Sequence, residues 1–365
     1  MNQRRLTNVQ EIMYFHPSYS CQFINLETFL MSDCGPLLKT YRHYIAIIAA
    51  ARHKCKYLVE LYTLNFLKCG GDQKWLTSIK NTPLKLQNIQ EVNKILAHKP
   101  WMINKCHIYN LRHAQKGDSW STSEMLQALI IMVHFHSLSS FVYGTGVAFE
   151  SDTPSSHSFY IHDKFSVEGF ENLPDNAADG NESKTKRENL QSKNLFKLNN
   201  LIDDLTYKYT DFKKCGEPAD MHTLRFQDFS WNKEGYSLCS LYPNSGRLLD
   251  SKFNAIKDLT YTQISNVNNN DFYTAIMRYL QSIYGLRYDD YNYSEINILL
   301  NRELKSTIKI VGCLPEEMTK EMYNKFMYGF EDAEKVLVNI IIMEARVECS
   351  LLYALKAVNK YISSN

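Results

Sequence analysis

EKVLVNIIIMEARVECSLLYALKAVNKY, Glu334 to Tyr361, is the stretch whose reading decides the fold class. Its apolar positions Val336, Ile340, Met343, Val347, Leu351, Ala354 and Val358 recur at steps of three and four. A period near 3.6 residues stacks such positions into one stripe, so this is a helix with a core-facing surface. Working backwards, helices are expected at Asp271–Tyr284, at Ser294–Val311 and from Glu316 onward. The segment between them and the middle of the chain, RFQDFSWNKEGYSLCSLYP (Arg225 to Pro243), is aromatic and turn-rich without a helical period, and predicts loops.

The first 150 residues read as helices too. From Tyr41 to Cys69 there is neither Pro nor Gly, and Gly70-Gly71 ends the run as a helix stop should. Ser121-Thr-Ser-Glu124 is a capping box, in which the serine hydroxyl and the glutamate satisfy free N–H groups at a helix start. It opens LQALIIMVHFHSLSSFVY, which runs to Gly144. Strand-like alternation is nearly absent, so the fold class is all-α. After Glu150 the composition turns to Ser, Asn, Asp and Lys, in SDTPSSHS and LPDNAADGNESKTKRENLQSKN. Such a segment buries too little apolar surface to order itself, and reads as a partly disordered linker. With 365 residues, more than a single core usually organises, two units are expected: 1–150 and 199–365, joined by a linker at 151–198.

Composition narrows the function classes. The 41 basic and 39 acidic residues nearly cancel, leaving a net charge of +2 and no basic run, which disfavours a nucleic-acid partner. Nine scattered cysteines without a C-x-x-C disfavour both a disulfide framework and a zinc site, and fit a reducing, cytoplasmic setting. No metal or other cofactor is expected. The basic start MNQRRLTNVQ lacks the apolar core of a secretory signal, and LIIMV and VLVNIIIM are far shorter than the roughly 18 residues of a membrane span.

One cysteine stands in a chemical setting. RHKCKYLVELY, Arg52 to Tyr62, surrounds Cys55 with basic and aromatic residues. On a helix the position seven residues on returns to within about 20° of the same face, placing Leu58, Val59 and Tyr62 on the side of Cys55. A working thiol needs its pKa lowered from about 8.5, and Arg52 and Lys56 are spaced so as to help. The alternative is a small buried hydrophobe, the usual fate of a free cysteine. Cys21, Cys34, Cys69, Cys106, Cys215, Cys239, Cys313 and Cys349 have no motif around them. His134 and His136, two apart on a helix, face different ways and read as core or boundary histidines.

Long segments across almost the whole chain resemble the sestrins, regulators of nutrient signalling. They are Arg42–Leu76, Asn93–Ile108, His134–Gly146 (HFHSLSSFVYGTG), Tyr236–Pro243 (YSLCSLYP), Tyr284–Tyr293 (YGLRYDDYNY) and Glu334–Tyr361. The resemblance implies two helical domains of the alkyl-hydroperoxide-reductase D type. It implies a stress- and nutrient-responsive negative regulator of TOR kinase signalling, which binds the upstream GATOR assembly through Asp289 and Asp290. The aromatic setting of that pair (Tyr284, Tyr288, Tyr291 and Tyr293) suits a protein-binding patch.

Two further activities are implied. One is a thiol-dependent alkyl hydroperoxide reductase with Cys55 as nucleophile and Tyr57 in a proton relay. There the family keeps a histidine where this chain has Tyr62, and Leu58 stands where a second cysteine would be. The other is a sensor of free leucine, with Glu334 binding the ammonium and Thr260 and Tyr261 among the contacts. In that pocket Gln263, Tyr273 and Met327 replace the family's threonine, carboxylate-binding arginine and tryptophan, and Asn269 lies in a shortened lid loop.

Overall fold

The capping box at Ser121 forms as its spacing requires. The Ser121 hydroxyl accepts from the Glu124 N–H at 3.2 Å, and the Glu124 carboxylate accepts from the Ser121 N–H at 2.8 Å. The helix it opens is the axis of the molecule. The structure, a computed structural model, describes residues 6–114, 117–147, 198–214, 223–259, 269–325 and 328–364. The expected linker at 151–198 lies almost wholly outside the described residues.

In chain order the helices are α1 (Asn8–Met13), α2 (Pro17–Met31), α3 (Lys39–Arg52), α4 (Lys56–Lys68), α5 (Leu84–Asn88), α6 (Gln90–His98), α7 (Lys105–Arg112) and α8 (Thr122–Thr145). They continue as α9 (Tyr236–Cys239), α10 (Ser245–Leu259), α11 (Asn269–Ile283), α12 (Glu295–Leu299), α13 (Arg302–Cys313), α14 (Lys320–Lys325) and α15 (Asp332–Ile362). The fold is all-α. Its strand content among the described residues is a two-residue parallel pair, β1 (Leu224–Arg225) against β2 (Leu286–Arg287).

α8 and α15 pack along one another, α3 and α6 flank α8, and α11 and α13 flank α15. Their buried side chains form one contiguous cluster with residues from both sides of 151–198. α8 is long and apolar enough to cross a membrane, although its longest apolar run is short. Its apolar window is wholly enclosed by protein. Gly144 lets α15 come close, because a Cβ there would stand 2.0 Å from the Asn339 side-chain oxygen.

The structure departs from the sequence reading at corners. The run from Tyr41 to Cys69 is two helices, with Lys54 between them at φ 52°. Nothing in its composition breaks it; the corner is held by the Tyr143 hydroxyl, which donates to the carbonyls of His53 (3.1 Å) and Lys54 (2.9 Å). The expected helix Ser294–Val311 divides at Leu300, and Asn301 caps the second piece through the Leu304 N–H at 2.8 Å. The expected helix from Glu316 begins as a 3-10 turn and α14, and Gly329 at φ 90° precedes α15. Arg225–Pro243 is not simply loop. Trp231–Gly235 forms a π-helical turn that leads into α9, with the Trp231 indole N–H donating to Asp250 at 3.0 Å.

Candidate functional site

The corner between α3 and α4 changes the setting of Cys55. Instead of lying on a helix face, Cys55 is the N-cap of α4, with φ −75° and ψ 85°. Its sulfur lies near the Leu58 N–H and Ser139 but makes no capping bond, and the Ser139 hydroxyl donates to the Phe135 carbonyl at 2.8 Å. A helix N-terminus favours a thiolate. Here burial outweighs it: Cys55 is 1% exposed, and the thiol is pushed up to about 12 despite the polar groups nearby. Neither basic neighbour helps. Arg52 pairs with Asp203 at 2.9 Å and donates to the Asp204 carbonyl at 2.8 Å, and Lys56 is exposed.

The relay candidates are held elsewhere. The Tyr57 hydroxyl accepts from the Val9 N–H at 3.3 Å. The Tyr62 hydroxyl donates to Glu27, and its ring meets Phe135 edge-on at 4.5 Å. A phenol the sequence reading missed stands at this corner, Tyr143, whose own ionisation is held far above the ordinary range by burial, Cys55 and Glu316. No local spacing signals it, since it lies 88 residues away on α8.

Beside this corner is a buried polar cluster. The Arg346 guanidinium, at the middle of α15, donates to Ser140 (2.7 Å) and to the Ala97 carbonyl (2.9 Å), and lies 2.6 Å from His53 Nε2. The His53 ring stands edge-on to His98 and His136, with centroids 5.1 and 5.5 Å apart. Burial drives all three imidazoles well below their ordinary pKa, so they are neutral near pH 7. His136 pairs with Asn93 at 2.9 Å, and His134 stacks on Phe23, so both are core histidines. Among the described residues no group of three His, Cys, Asp or Glu side chains is arranged to hold a metal ion.

Of the amino-acid pocket, Thr260, Tyr261, Gln263 and Met327 lie outside the described residues. Glu334 is engaged in a way the sequence reading did not foresee. It is the third residue of α15 and accepts from the Glu331 N–H at 2.8 Å, as the return half of a capping box. Tyr273 is buried close to that carboxylate, and burial and Glu334 together raise its pKa far above the ordinary value.

Asp289 and Asp290 are exposed on the turn that follows β2. The aromatic patch expected around them is only half at the surface. Tyr284 and Tyr288 are buried: the Tyr284 hydroxyl donates to the Gly312 carbonyl at 2.8 Å, and Tyr288 stacks on Phe226 at 4.2 Å. Tyr291 and Tyr293 remain partly exposed, edge to face at 5.2 Å, and the Tyr288 N–H donates to the Tyr293 hydroxyl at 3.0 Å. Ile298 of α12, 80% exposed, is an apolar side chain that follows in the same segment.

Comparison with known proteins places the sequence in a family. The profile of the PA26 p53-induced protein (sestrin) family matches residues 1–197 and 166–362. Sestrin-2 of Bos taurus is 39% identical over 416 aligned positions, which take in 100% of this chain and 87% of that protein. Sestrin-1 of Macaca fascicularis is 37% identical, covering 98% of this chain and 84% of its own length, and Sestrin-3 of Mus musculus is 34% identical, covering 98% and 86%. The chain belongs to the sestrin family.

Proposed function

We propose that this sestrin is a binding regulator that restrains TOR kinase signalling, in answer to stress and nutrient state, by engaging a GATOR-type assembly in the cytoplasm. The observation that carries the reading is the pair Asp289 and Asp290, both solvent-exposed on a turn whose neighbours are fixed to the core. Charges at the rim of a site govern association and partner choice when the backbone presenting them is already ordered. The experiment is affinity measurement between the purified chain and the purified GATOR assembly, beside Asp289→Ala/Asp290→Ala. A loss of about tenfold or more is expected, as for removal of charge-assisted contacts. Undiminished affinity refutes the contact.

The second reading is a hydroperoxide reductase centred on Cys55. It is favoured by the position of Cys55 at a helix N-terminus. Enclosure of the thiol opposes it. Free leucine as a ligand is the third. The Glu334 carboxylate is shared with its own helix cap, and a buried tyrosine stands where a positive charge would receive the ligand carboxylate. We expect millimolar leucine to leave the melting temperature unchanged. A rise in Tm that vanishes in Glu334→Ala establishes the pocket instead.

A further inference from the structure

The residue just before the acidic turn is gripped from both faces. The Arg278 guanidinium carbon, on α11, lies 3.3 Å from the centroid of the Tyr288 ring, and Phe226 stacks on the same ring with centroids 4.2 Å apart. Arg278 donates to Gln281 at 2.8 Å, and the Gln281 side-chain amide in turn reaches the Tyr288 hydroxyl at 3.4 Å and Glu348 of α15 at 2.6 Å. On the far side of the two aspartates, the Tyr293 hydroxyl accepts from the Tyr288 N–H at 3.0 Å and so ties the other end of the turn to the same residue. Arg278 thus underlies the residue to which both ends of the turn are tied, while Asp289 and Asp290 are exposed.

We infer that Arg278 is a positioning residue for partner recognition: its flat guanidinium, stacked on Tyr288, fixes the geometry in which Asp289 and Asp290 are presented. This rests on the acidic turn being the partner contact. A planar cation on an aromatic face in a half-desolvated site is a strong form of this interaction, and lysine, a point charge on a flexible stem, does not reproduce it.

The test measures affinity for the purified GATOR assembly in Arg278→Ala, Arg278→Lys, Asp290→Asn and the Arg278→Ala/Asp290→Asn pair, with a thermal melt of each. Arg278→Ala is expected to weaken binding about tenfold, and Arg278→Lys to fall in between. In the Asp290→Asn background the cost of Arg278→Ala should shrink, because the turn it positions has already lost a contact. Wild-type affinity in Arg278→Lys, or an undiminished Arg278→Ala effect beside Asp290→Asn, overturns the assignment. The lysine variant carries the test if the alanine variant does not fold. If instead Asp290→Asn and Asp289→Ala/Asp290→Ala bind as wild type, the acidic contact itself has failed, which is a separate outcome.

Discussion

At the scale of the residue, Cys55 shows two opposing effects on one thiol. The start of α4 favours the thiolate, yet burial raises the thiol to about 12. At pH 7 the thiolate fraction is then about one in 10⁵, against a few per cent for an unperturbed cysteine. Alkylation of Cys55 should therefore be slow from pH 6 to pH 9 in a variant in which the exposed Cys21, Cys34, Cys69 and Cys106, and also Cys215, are replaced by serine, and fast once denaturant is added. Rapid modification at neutral pH of the folded chain would contradict the burial argument and revive the reductase reading. Organic hydroperoxide turnover should remain at background in the wild type and equally in Tyr62→His. Residue 62 faces Glu27 and Phe135, and restoring an imidazole there leaves the sulfur enclosed. The linkage has a definite sign. Since the folded thiol holds its proton more tightly than the unfolded one, its contribution to stability is complete below about pH 8.5 and declines as pH rises toward 12.

At the scale of the element, helices were legible where a local rule fixes them, and corners were not. The Ser121 cap, the stop at Gly70-Gly71 and the stripe of α15 follow from short-range spacing, and each appears where the spacing puts it. The break at Lys54 is imposed from outside by Tyr143, so no window around Cys55 contains its cause. The same limit explains why the neighbours of Cys55 were misjudged: spacing on one straight helix pointed to Tyr62, while the true neighbours, Ser139 and Tyr143, belong to α8. Likewise the crowding of tyrosines in YGLRYDDYNY was visible, but which of them are buried depends on Phe226, Arg278 and Gly312. Helix contacts give their own prediction. A Cβ at residue 144 meets the Asn339 side chain at 2.0 Å, so Gly144→Ala forces either that side chain or α15 itself to shift. A cost of about 1–3 kcal/mol is expected, read as a fall in the denaturation midpoint with unchanged slope. A midpoint equal to wild type would mean that Asn339 simply swings aside.

At the scale of the whole molecule, polar contacts in the core tie together residues from both ends of the chain. Tyr19 of α2 and Lys252 of α10 meet on Glu344, with the lysine 2.8 Å from the carboxylate, and Arg346, two residues further along α15, reaches His53, Ser140 and the Ala97 carbonyl. Such groups gain little net stability over apolar packing, but they are costly to leave unpaired, and this makes one arrangement of the segments much better than its alternatives. They also set the response to acid. His53, His98, His134 and His136 are buried and held neutral, and burial, with Arg42 and Lys39 nearby, pushes His43 down to about 4. Around the three-ring cluster the facing charges are Arg52, Arg346 and Glu316, and the two arginines oppose any further positive charge. The unfolded chain takes up protons at these imidazoles below about pH 6.5, whereas the folded chain does not, so stability is present above that pH and is lost as pH falls. Each such histidine adds about 1.4 kcal/mol per pH unit to the slope below its unfolded pKa. Urea unfolding between pH 7 and pH 5 should show a steep loss of stability, and replacing His136 with glutamine should reduce that slope by about one proton. A glutamine amide keeps a donor for Asn93 without adding a titrating group, so the slope can change even where stability at pH 7 changes little. An unchanged slope would mean that His136 titrates alike in the folded and unfolded chain, and the cluster would then not be the source of acid sensitivity.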